Sequence, residues 1–318
     1  MTDALSHYAE YVNDLQQINR EAVKDPAAFV MRAEKAYYDD VERVAEGLIH
    51  DETRLVMLAG PTSSSKTTTA KLLVGALEKL GADCALISLD DFYRGERLAP
   101  LLPDGKPNYE SIEALNVNAI QNCLARLLEA GNCNVPVFDF EAHVPSSRRR
   151  SVTLGKKGIA VVEGIHALNP CLISGIPSLG LKRIYISVKQ GIQNGEYPLI
   201  GPNGMRLVRR LVRDYNFRRT GPDKTLRMWG TVMDGERKYI KPFRNIADFT
   251  VNSFHVYELC VLRNRAIPLL HTIPEGSDCF GAAKKLAAIL ERFQPIDCHF
   301  VPDGSVLREF IGSEGQAS

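Results

Sequence analysis

A short apolar run that passes directly into a small, polar loop is the feature that most restricts how this chain folds. Residues 54–59 read RLVMLA, which predicts a buried strand. The segment from Lys66 to about Leu80 predicts a helix that ends at Gly81. A strand that turns through such a loop into a helix is the setting of the phosphate-binding pattern G-x-x-x-x-G-K-[ST]. The loop residues are Gly60, Pro61, Thr62, Ser63, Ser64, Ser65, Lys66 and Thr67.

The residue types of this loop suit a bound nucleoside triphosphate. Successive backbone N–H groups and the start of a helix surround phosphate oxygens. Lys66 supplies a positive charge to the β- and γ-phosphates, and the Thr67 hydroxyl suits Mg²⁺. We therefore predict that residues 60–68, which include Thr68, bind ATP with Mg²⁺. The alternative is a polar turn whose hydroxyl groups only cap the helix.

Ser65 stands where the pattern has its last glycine. Glycine is usual there because the backbone approaches the phosphates closely and often takes a left-handed conformation. Two cases stay open at this stage. Either Ser65 adopts the left-handed conformation at a cost of roughly 1–2 kcal/mol, or the loop escapes that cost. It escapes if the backbone is right-handed there, or if the Ser65 hydroxyl bonds to phosphate or to a neighbouring backbone group.

Composition excludes several classes of function. The 318 residues suit one large α/β domain, alone or with a small appendage. A formal net charge of +1 indicates neither a nucleic-acid nor a membrane partner, and no apolar run reaches the length of a membrane span. The seven cysteines include no C-x-x-C pair, so neither a zinc site nor a disulfide framework is predicted. The N-terminus lacks the pattern of a signal peptide, and we expect a cytoplasmic protein. A homo-oligomer is compatible with the sequence, which does not specify one.

Strands alternate with helices along the rest of the chain. Residues 1–50 predict a helical lead-in with Pro26 in the first turn of its main helix. The alternation predicts a mainly parallel central sheet with helices on both faces. We divide the chain into the lead-in, a main domain at 51–312 and a flexible tail at 313–318. The other predicted segments are strands at Ala85–Leu89, Ile159–Val162, Lys182–Val188 and Asp248–Val251, paired extended segments at Cys133–Phe140 and Ser151–Leu154, helices at Ser111–Leu128, Pro222–Glu236, Val256–Arg265 and Phe280–Phe293, and an extended Pro268–Leu270.

Several motifs, in order, resemble the uridine kinase and phosphoribulokinase superfamily. They extend from about Leu55 to Gly312, and the chain is most similar to a bacterial uridine kinase-like branch. We expect a member that lacks the threonyl-tRNA-synthetase-like region often fused to that branch. The resemblance implies a P-loop kinase fold, a lid at about 204–236 and a small acceptor-binding projection. The motifs are AGPTSSSKTTTAKLL, SLDDFYRG, NYESIEAL, PVFDFEAH, VVEGIHALNP, MRLVRRLVRDYNFRR and VLREFIGS.

Two acidic residues follow predicted strands and match catalytic positions of the family. Asp90, at the end of its strand, matches the general base that accepts the proton of the attacking hydroxyl. Glu163 ends the run IAVVE and matches the acid that helps to hold Mg²⁺. The neighbouring Asp91 is expected to point elsewhere, because residues on an extended segment alternate in direction. The alternatives are solvated turn residues for the aspartates and a helix cap for Glu163.

Four residues match the acceptor-binding positions of the family. Tyr109 and Glu110 resemble an aromatic–Asp pair whose acid binds ribose hydroxyls, although Glu110 is one methylene longer. Phe138 and His143 match an aromatic residue and a histidine that contact the base, and the family often has Tyr where Phe138 stands. The alternative places Phe138 in the core and His143 in a surface loop.

The predicted lid carries a row of arginines. Arg206, Arg210 and Arg213 share one helical face, and Arg218 lies a turn further on. In the family, such arginines fold over the nucleotide and neutralise the charge of the transferring phosphate. The alternative is a solvated basic face. Arg219 is a candidate to replace a family arginine where Thr220 stands.

Together these residues predict an ATP- and Mg²⁺-dependent kinase whose acceptor is a small molecule. The 5′-hydroxyl of a nucleoside is the first expectation. A sugar or another polyol stays open because of Glu110 and Phe138, and a non-catalytic nucleotide-binding protein stays open because of Ser65. The donor, ATP or GTP, is not specified. Neither N-K-x-D nor L-S-G-G-Q occurs, which argues against a GTPase or a transport ATPase.

Overall fold

Five parallel strands form the central sheet of the computed structural model, which describes residues 10–103 and 105–313. A second sheet has three strands, and a two-stranded hairpin stands apart from both. The strands are β1 (Glu10–Asp14), β2 (Leu55–Ala59), β3 (Cys84–Ser88), β4 (Asn132–Asp139), β5 (Val144–Thr153), β6 (Ile159–Glu163), β7 (Leu181–Ser187), β8 (Gln190–Asn194), β9 (Tyr197–Ile200) and β10 (Phe249–Asn252).

Helices cover both faces of the central sheet. The longest one begins at Pro26, where the side chain of Asp25 accepts the backbone N–H of Ala28 at 2.9 Å. Proline suits this first position, because its missing N–H would have no helical partner there. The helices are α1 (Leu15–Lys24), α2 (Pro26–His50), α3 (Lys66–Lys79), α4 (Val117–Ala130), α5 (Pro202–Arg218), α6 (Pro222–Tyr239), α7 (Glu258–His271), α8 (Phe280–Leu290) and α9 (Arg308–Ile311).

The central sheet has the order β10-β7-β2-β6-β3, and each neighbouring pair is parallel. Every residue of β2 and β6 is buried, because helices pack on both sides of these strands. Val56 and Leu58 of β2 face the core that contains α2, α3, α5 and α7. Leu55 and Met57 face the opposite core, which contains α4. The predicted parallel α/β architecture is therefore confirmed.

The three-stranded sheet was not predicted, and it corrects the helical interpretation of residues 10–14. Strand β1 pairs in parallel with β8, and β8 pairs antiparallel with β9. The partner of β1 lies about 180 residues away along the chain, so no local pattern announces the pairing. The prediction for residues 1–9 lies outside the described residues, as does the predicted flexibility of residues 314–318.

The extended segment predicted at Pro268–Leu270 is also wrong, because α7 runs through it to His271. A proline inside a helix removes one hydrogen bond and strains the preceding turn. Buried residues lie on both sides of it, including Leu262, Ala266 and Leu269. Their packing holds the helix together across Pro268.

Two further predictions concern membrane-spanning helices and the cysteines. No helix in the described ranges combines the length and the apolar character that crossing a membrane requires. All seven cysteines are free thiols, and Cys123, Cys133, Cys260 and Cys279 are buried, whereas Cys171 is exposed.

The packing of α2 makes a first prediction. Leu48 is 0% exposed within the main core, whereas the next residue, Ile49, is 38% exposed. We expect Leu48→Ala to lower the free energy of unfolding by about 2–5 kcal/mol, because it leaves a cavity in the core. Ile49→Ala, on the same helix turn, is the matched control and should change it by no more than about 0.5 kcal/mol. Urea titrations measure the free energy of unfolding of both variants. If Leu48→Ala destabilised the protein no more than Ile49→Ala does, α2 would not belong to the cooperative core.

Candidate active site

Three neighbouring strands of the central sheet end at the same edge, and the predicted site residues follow them. Strand β2 leads into the loop at Gly60, β6 ends on Glu163, and Asp90 lies just beyond β3. Strand β6 pairs with both β2 and β3 in parallel, so all three carboxyl ends meet. Ligands bind at such edges in open α/β sheets.

The loop backbone has one position of close approach and two of unusual conformation. A Cβ atom on Gly60 would lie 2.5 Å from the carbonyl oxygen of Ile186, so only glycine fits there. Ser63 and Ser65 have φ angles of 57° and 63°, in the left-handed region. The loop is therefore left-handed at Ser65, which excludes the right-handed case; this conformation costs roughly 1–2 kcal/mol per residue.

The three serine side chains of the loop are buried, and their hydroxyl groups have no hydrogen-bond partner among the described residues. Buried hydroxyl groups in proteins normally have a partner. Ser63, Ser64 and Ser65 therefore leave polar groups free in a loop that also opens α3 and carries Lys66. These features fit a bound phosphate.

Glu163 is the residue at which the other site residues converge. Its Oε1 accepts the hydroxyl of Ser88 at 2.6 Å. Burial raises the pKa of Glu163; Lys66 opposes this, Asp90 adds to it, and hydrogen bonds from Ser88 and Thr67 lower it. Its Oε2 is buried without a partner among the described residues. A free carboxylate oxygen beside a threonine hydroxyl is a donor set that fits Mg²⁺.

The two adjacent aspartates face different surroundings. They lie in a short 3-10 helix, Leu89–Phe92, rather than in the extended segment that we assumed. The charge of Asp90 contributes to the raised pKa of both Glu163 and Tyr93, so this carboxylate lies near these two residues. Asp91 lies 3.8 Å from the guanidinium of Arg150, and burial raises its pKa.

Aromatic side chains from three segments form a cluster beside Asp90. The ring of Tyr93 lies 5.5 Å from that of Tyr109 and 5.7 Å from that of Phe138. Tyr109 also stacks on His143, with centroids 6.2 Å apart, at the end of the hairpin β4–β5. The structure thus brings the predicted acceptor residues together, although Phe138 is itself buried. Tyr93 was not among the predicted site residues, although it lies in the motif SLDDFYRG.

Glu110 lies between the aromatic cluster and the cationic residues. Burial raises its pKa, while Arg210, Lys66 and Arg206 act in the opposite direction. Its side chain packs against α6, where a Cβ on Gly235 would lie 2.7 Å from the Glu110 Cβ. The charge of Lys66 in the phosphate loop therefore influences this carboxylate.

Four arginines of α5 are buried and paired, so the alternative of a solvated basic face does not apply to them. They are Arg206, Arg209, Arg210 and Arg213. Arg210 and Arg213 both approach the hydroxyl of Thr62 in the loop, at 3.1 and 3.4 Å. Arg218 differs, because its side chain is half exposed and reaches only Asp214, at 3.4 Å. Arg219 ends the helix in a left-handed conformation. The ion pairs of the buried arginines are Arg206–Glu236, Arg209–Glu258, Arg210–Asp214 and Arg213–Glu309.

Two buried residues near the site were missed by the sequence analysis. Arg209 is 0% exposed, and its guanidinium donates to the carbonyl oxygen of Ser63 at 3.3 Å. It lies three residues after Arg206 and four before Arg213, so the helical spacing that selected those two arginines was a signal for Arg209 as well. His166 follows Glu163 in the motif VVEGIHALNP, and burial lowers its pKa to about 4. That motif was the signal available for it.

A group of metal-ligand type also lies elsewhere among the described residues. It consists of Asp223, Asp278 and Cys279. The guanidinium of Arg227 lies 3.0 Å from both aspartates, so these charges are already paired. This group offers no support for a zinc site.

Comparison with known proteins finds uridine kinases. The uridine kinase of Clostridium botulinum (strain Okra / Type B1) is 25% identical over 198 residues, which cover 62% of this chain and 86% of that protein. The uridine kinase of Macrococcus caseolyticus is 25% identical over 201 residues, covering 63% and 88%. A solved structure described as a possible uridine kinase from Bacillus stearothermophilus is 17% identical, covers 67% of this chain and 97% of its own, and has a TM-score of 0.43. No protein-family model matches the chain.

Each of these two sequence matches extends over about 200 residues, and over more than four fifths of the relative's own length. The resemblance to the uridine kinase and phosphoribulokinase superfamily of P-loop kinases is therefore confirmed.

Proposed function

We propose that this protein transfers the γ-phosphate of Mg·ATP to a hydroxyl group of a small molecule, and that the acceptor is the 5′-hydroxyl of a nucleoside. The observation that carries the proposal is that β2, β6 and β3 end at one edge of the sheet, where they position the loop with Lys66 and Thr67, the buried Glu163 and Asp90. A cation, a metal-binding hydroxyl and a proton acceptor at one edge of the sheet are the parts that phosphoryl transfer needs.

The loop binds the phosphates in this proposal. Backbone N–H groups of residues 60–68 and the charge of Lys66 hold the β- and γ-phosphates. Thr67 and Glu163 would hold Mg²⁺, which supplies neutralising charge between the phosphate oxygens when it is bound. Arg210 and Arg213 reach the same loop through Thr62 and stabilise the charge that develops on the transferred group.

The transfer itself balances without any further reactant. The acceptor hydroxyl gives its proton to the carboxylate of Asp90 as its oxygen bonds to the γ-phosphorus. The bond between that phosphorus and the β–γ bridging oxygen breaks, and ADP leaves with the electron pair. The products are the phosphate monoester of the acceptor, ADP and a proton.

The aromatic cluster supports a nucleoside as the acceptor. Tyr93, Tyr109 and His143 present rings that suit the flat face of a base. Glu110 offers a carboxylate for ribose hydroxyls. The names of the sequence relatives, uridine kinases, support the same choice.

A sugar or another polyol is the second candidate. Phe138 lacks the hydroxyl that the family often has, and Glu110 is longer than the usual Asp, so base and ribose recognition both differ. An ADP-release assay with uridine, cytidine, other nucleosides and a set of sugars tests the proposal. Turnover with a nucleoside supports it, whereas turnover with sugars alone would replace it.

A non-catalytic nucleotide-binding protein is the candidate from a different class, and Ser65 is the reason to test it. We expect calorimetry to detect Mg·ATP binding at sub-millimolar nucleotide. If the unmutated protein gave no heat and Ser65→Gly restored binding, Ser65 would disable the loop and the non-catalytic function would be favoured. The cytoplasmic location and the domain division stay predictions from the sequence, which specifies neither a homo-oligomer nor the choice of ATP over GTP.

The role of Asp90 makes the second prediction. Asp90→Asn keeps the shape of the side chain and removes the proton acceptor, so kcat should fall about 10²–10⁴-fold. The affinity for Mg·ATP should change little. Asp91→Asn is the matched control and should keep kcat, because Asp91 pairs with Arg150 instead. Steady-state kinetics measure both variants; near-normal kcat in Asp90→Asn would refute the assignment.

The third prediction separates chemistry from packing at Arg213, whose guanidinium also lies 3.0 Å from Glu309. Arg213→Ala should lower kcat more than it weakens nucleoside binding, because the lost charge acts mainly in the transition state. Glu309→Gln weakens the same ion pair and leaves the cation in place, so it should keep kcat. Kinetics and thermal melting of both variants provide the measurement. If the two variants lost activity equally, Arg213 would be structural.

A further inference from the structure

The carbonyl oxygens of the two left-handed serines in the phosphate loop are each held by a side chain outside the loop. The carbonyl oxygen of Ser65 accepts the backbone N–H of Thr69 at 2.9 Å and the hydroxyl of Thr69 at 2.6 Å. The carbonyl oxygen of Ser63 accepts Nη1 of Arg209 at 3.3 Å. Both residues take a conformation that side chains disfavour, and such a conformation persists only where its surroundings enforce it.

The N-terminal helix α2 reaches the loop through one of these contacts. The hydroxyl groups of Tyr37 and Thr69 are 2.5 Å apart and buried. Thr69 has a single hydroxyl proton, which it donates to Ser65, so Tyr37 must be the donor in the second bond. Burial raises the pKa of Tyr37, which keeps its proton in place. The result is a chain of hydrogen bonds from α2 to the carbonyl of Ser65.

The guanidinium of Arg209, which anchors Ser63, is itself held by partners outside the loop. Nε and Nη2 of Arg209 lie 2.6 and 2.5 Å from the carboxylate of Glu258. Nη2 also donates to the carbonyl oxygen of Ser253 at 2.5 Å, and the guanidinium lies over the ring of Phe310. With this many partners, Arg209 has one available position.

Further buried contacts lock α2 to the segment that follows β10. Oε1 of Glu34 accepts the hydroxyl groups of Tyr257 and Ser305. The ring of His255 lies 4.9 Å from that of Tyr37, and Nδ1 of His255 lies 3.2 Å from the carbonyl oxygen of Ser253. Tyr37 and Arg209 are therefore held by one connected set of residues.

We propose that Tyr37, Thr69 and Arg209 are positioning residues that hold Ser63 and Ser65 of the phosphate loop in the left-handed conformation, which glycine adopts more readily than serine. The inference rests on the proposed function, because it assumes that the loop binds Mg·ATP. It gives the N-terminal helix α2 a part in nucleotide binding, because Tyr37 acts on the loop through Thr69.

The fourth prediction tests whether the anchor matters because of the serine. Tyr37→Phe and Thr69→Val each remove a hydroxyl with almost no change in shape. We expect each variant to bind Mg²⁺ with AMP-PNP about fivefold more weakly, which corresponds to the loss of one hydrogen bond of ordinary strength. In a Ser65→Gly background the same two substitutions should weaken binding by less than about twofold, because glycine takes the left-handed conformation without help. Calorimetry gives the dissociation constants.

Controls separate this role from a loss of packing. Tyr38→Phe removes a neighbouring hydroxyl of α2 that has no contact with the loop, and it should leave binding unchanged in both backgrounds. Equal weakening by Tyr37→Phe with Ser65 and with Ser65→Gly would make Tyr37 merely structural and overturn the proposal. Unchanged binding in Tyr37→Phe and Thr69→Val would overturn it as well. If the unmutated protein did not bind Mg²⁺ with AMP-PNP, the proposed function would fail first and this inference would fall with it.

The fifth prediction concerns the anchor of Ser63. Arg209→Lys keeps the charge beside Glu258 and removes the fork that reaches the loop, so the partner carboxylate is not left alone. Binding should weaken by at least about fivefold, and Ser63→Gly should recover most of that loss. If Ser63→Gly recovered none of it, Arg209 would not act through the conformation of Ser63. Thermal melting of each variant verifies that the protein measured is folded.

Discussion

Burying four guanidinium groups on one helix is the constraint on which the rest of the site depends. Removing a charge from water costs several kcal/mol, and only close partners offset that cost. Of the four carboxylates that pair with the arginines of α5, three come from other helices, namely Glu236 of α6, Glu258 of α7 and Glu309 of α9. Helix α5 can satisfy all of these pairs in only one position, and that position is against the phosphate loop.

This arrangement determines how the arginines can act. The other face of α5 carries Met205, Val208 and Leu211, all fully buried in the main core. Arg210 and Arg213 therefore stand on a helix that is part of the core, and they already contact Thr62. Charge stabilisation is strongest when the stabilising groups need no reorganisation during the reaction. A clamp on a core helix meets that condition, so its contacts to the loop do not depend on a mobile segment.

Sequence patterns predicted the elements whose pattern lies within a single strand or helix. Apolar runs located β2, β6 and β7, and the loop pattern located the start of α3 within a residue. The parallel sheet followed from the alternation of strands and helices. The motif order located the strand-end acids, and the structure places Asp90 and Glu163 at neighbouring strand ends.

What the sequence could not predict depends on pairs that are distant along the chain. Strand β1 exists because β8 accepts it, and α7 continues through Pro268 because buried neighbours hold it. Arg209 looked like one more basic residue, since only the fold shows that Glu258 and the carbonyl of Ser63 surround it. The left-handed conformation of Ser65 was likewise undecidable, because a residue type allows a conformation and only the surrounding contacts select it.

Glu110 links the predicted acceptor residues to the arginines of α5. Burial and the acid Glu236 raise the pKa of its carboxyl group, whereas Arg210, Lys66 and Arg206 lower it. A buried carboxylate that is influenced by several cations offsets part of their mutual repulsion. Glu110 follows Tyr109 of the aromatic cluster and packs against Gly235 of α6, and Glu236 on the same helix pairs with Arg206. One residue therefore connects the aromatic cluster, α6 and the cations beside the phosphate loop.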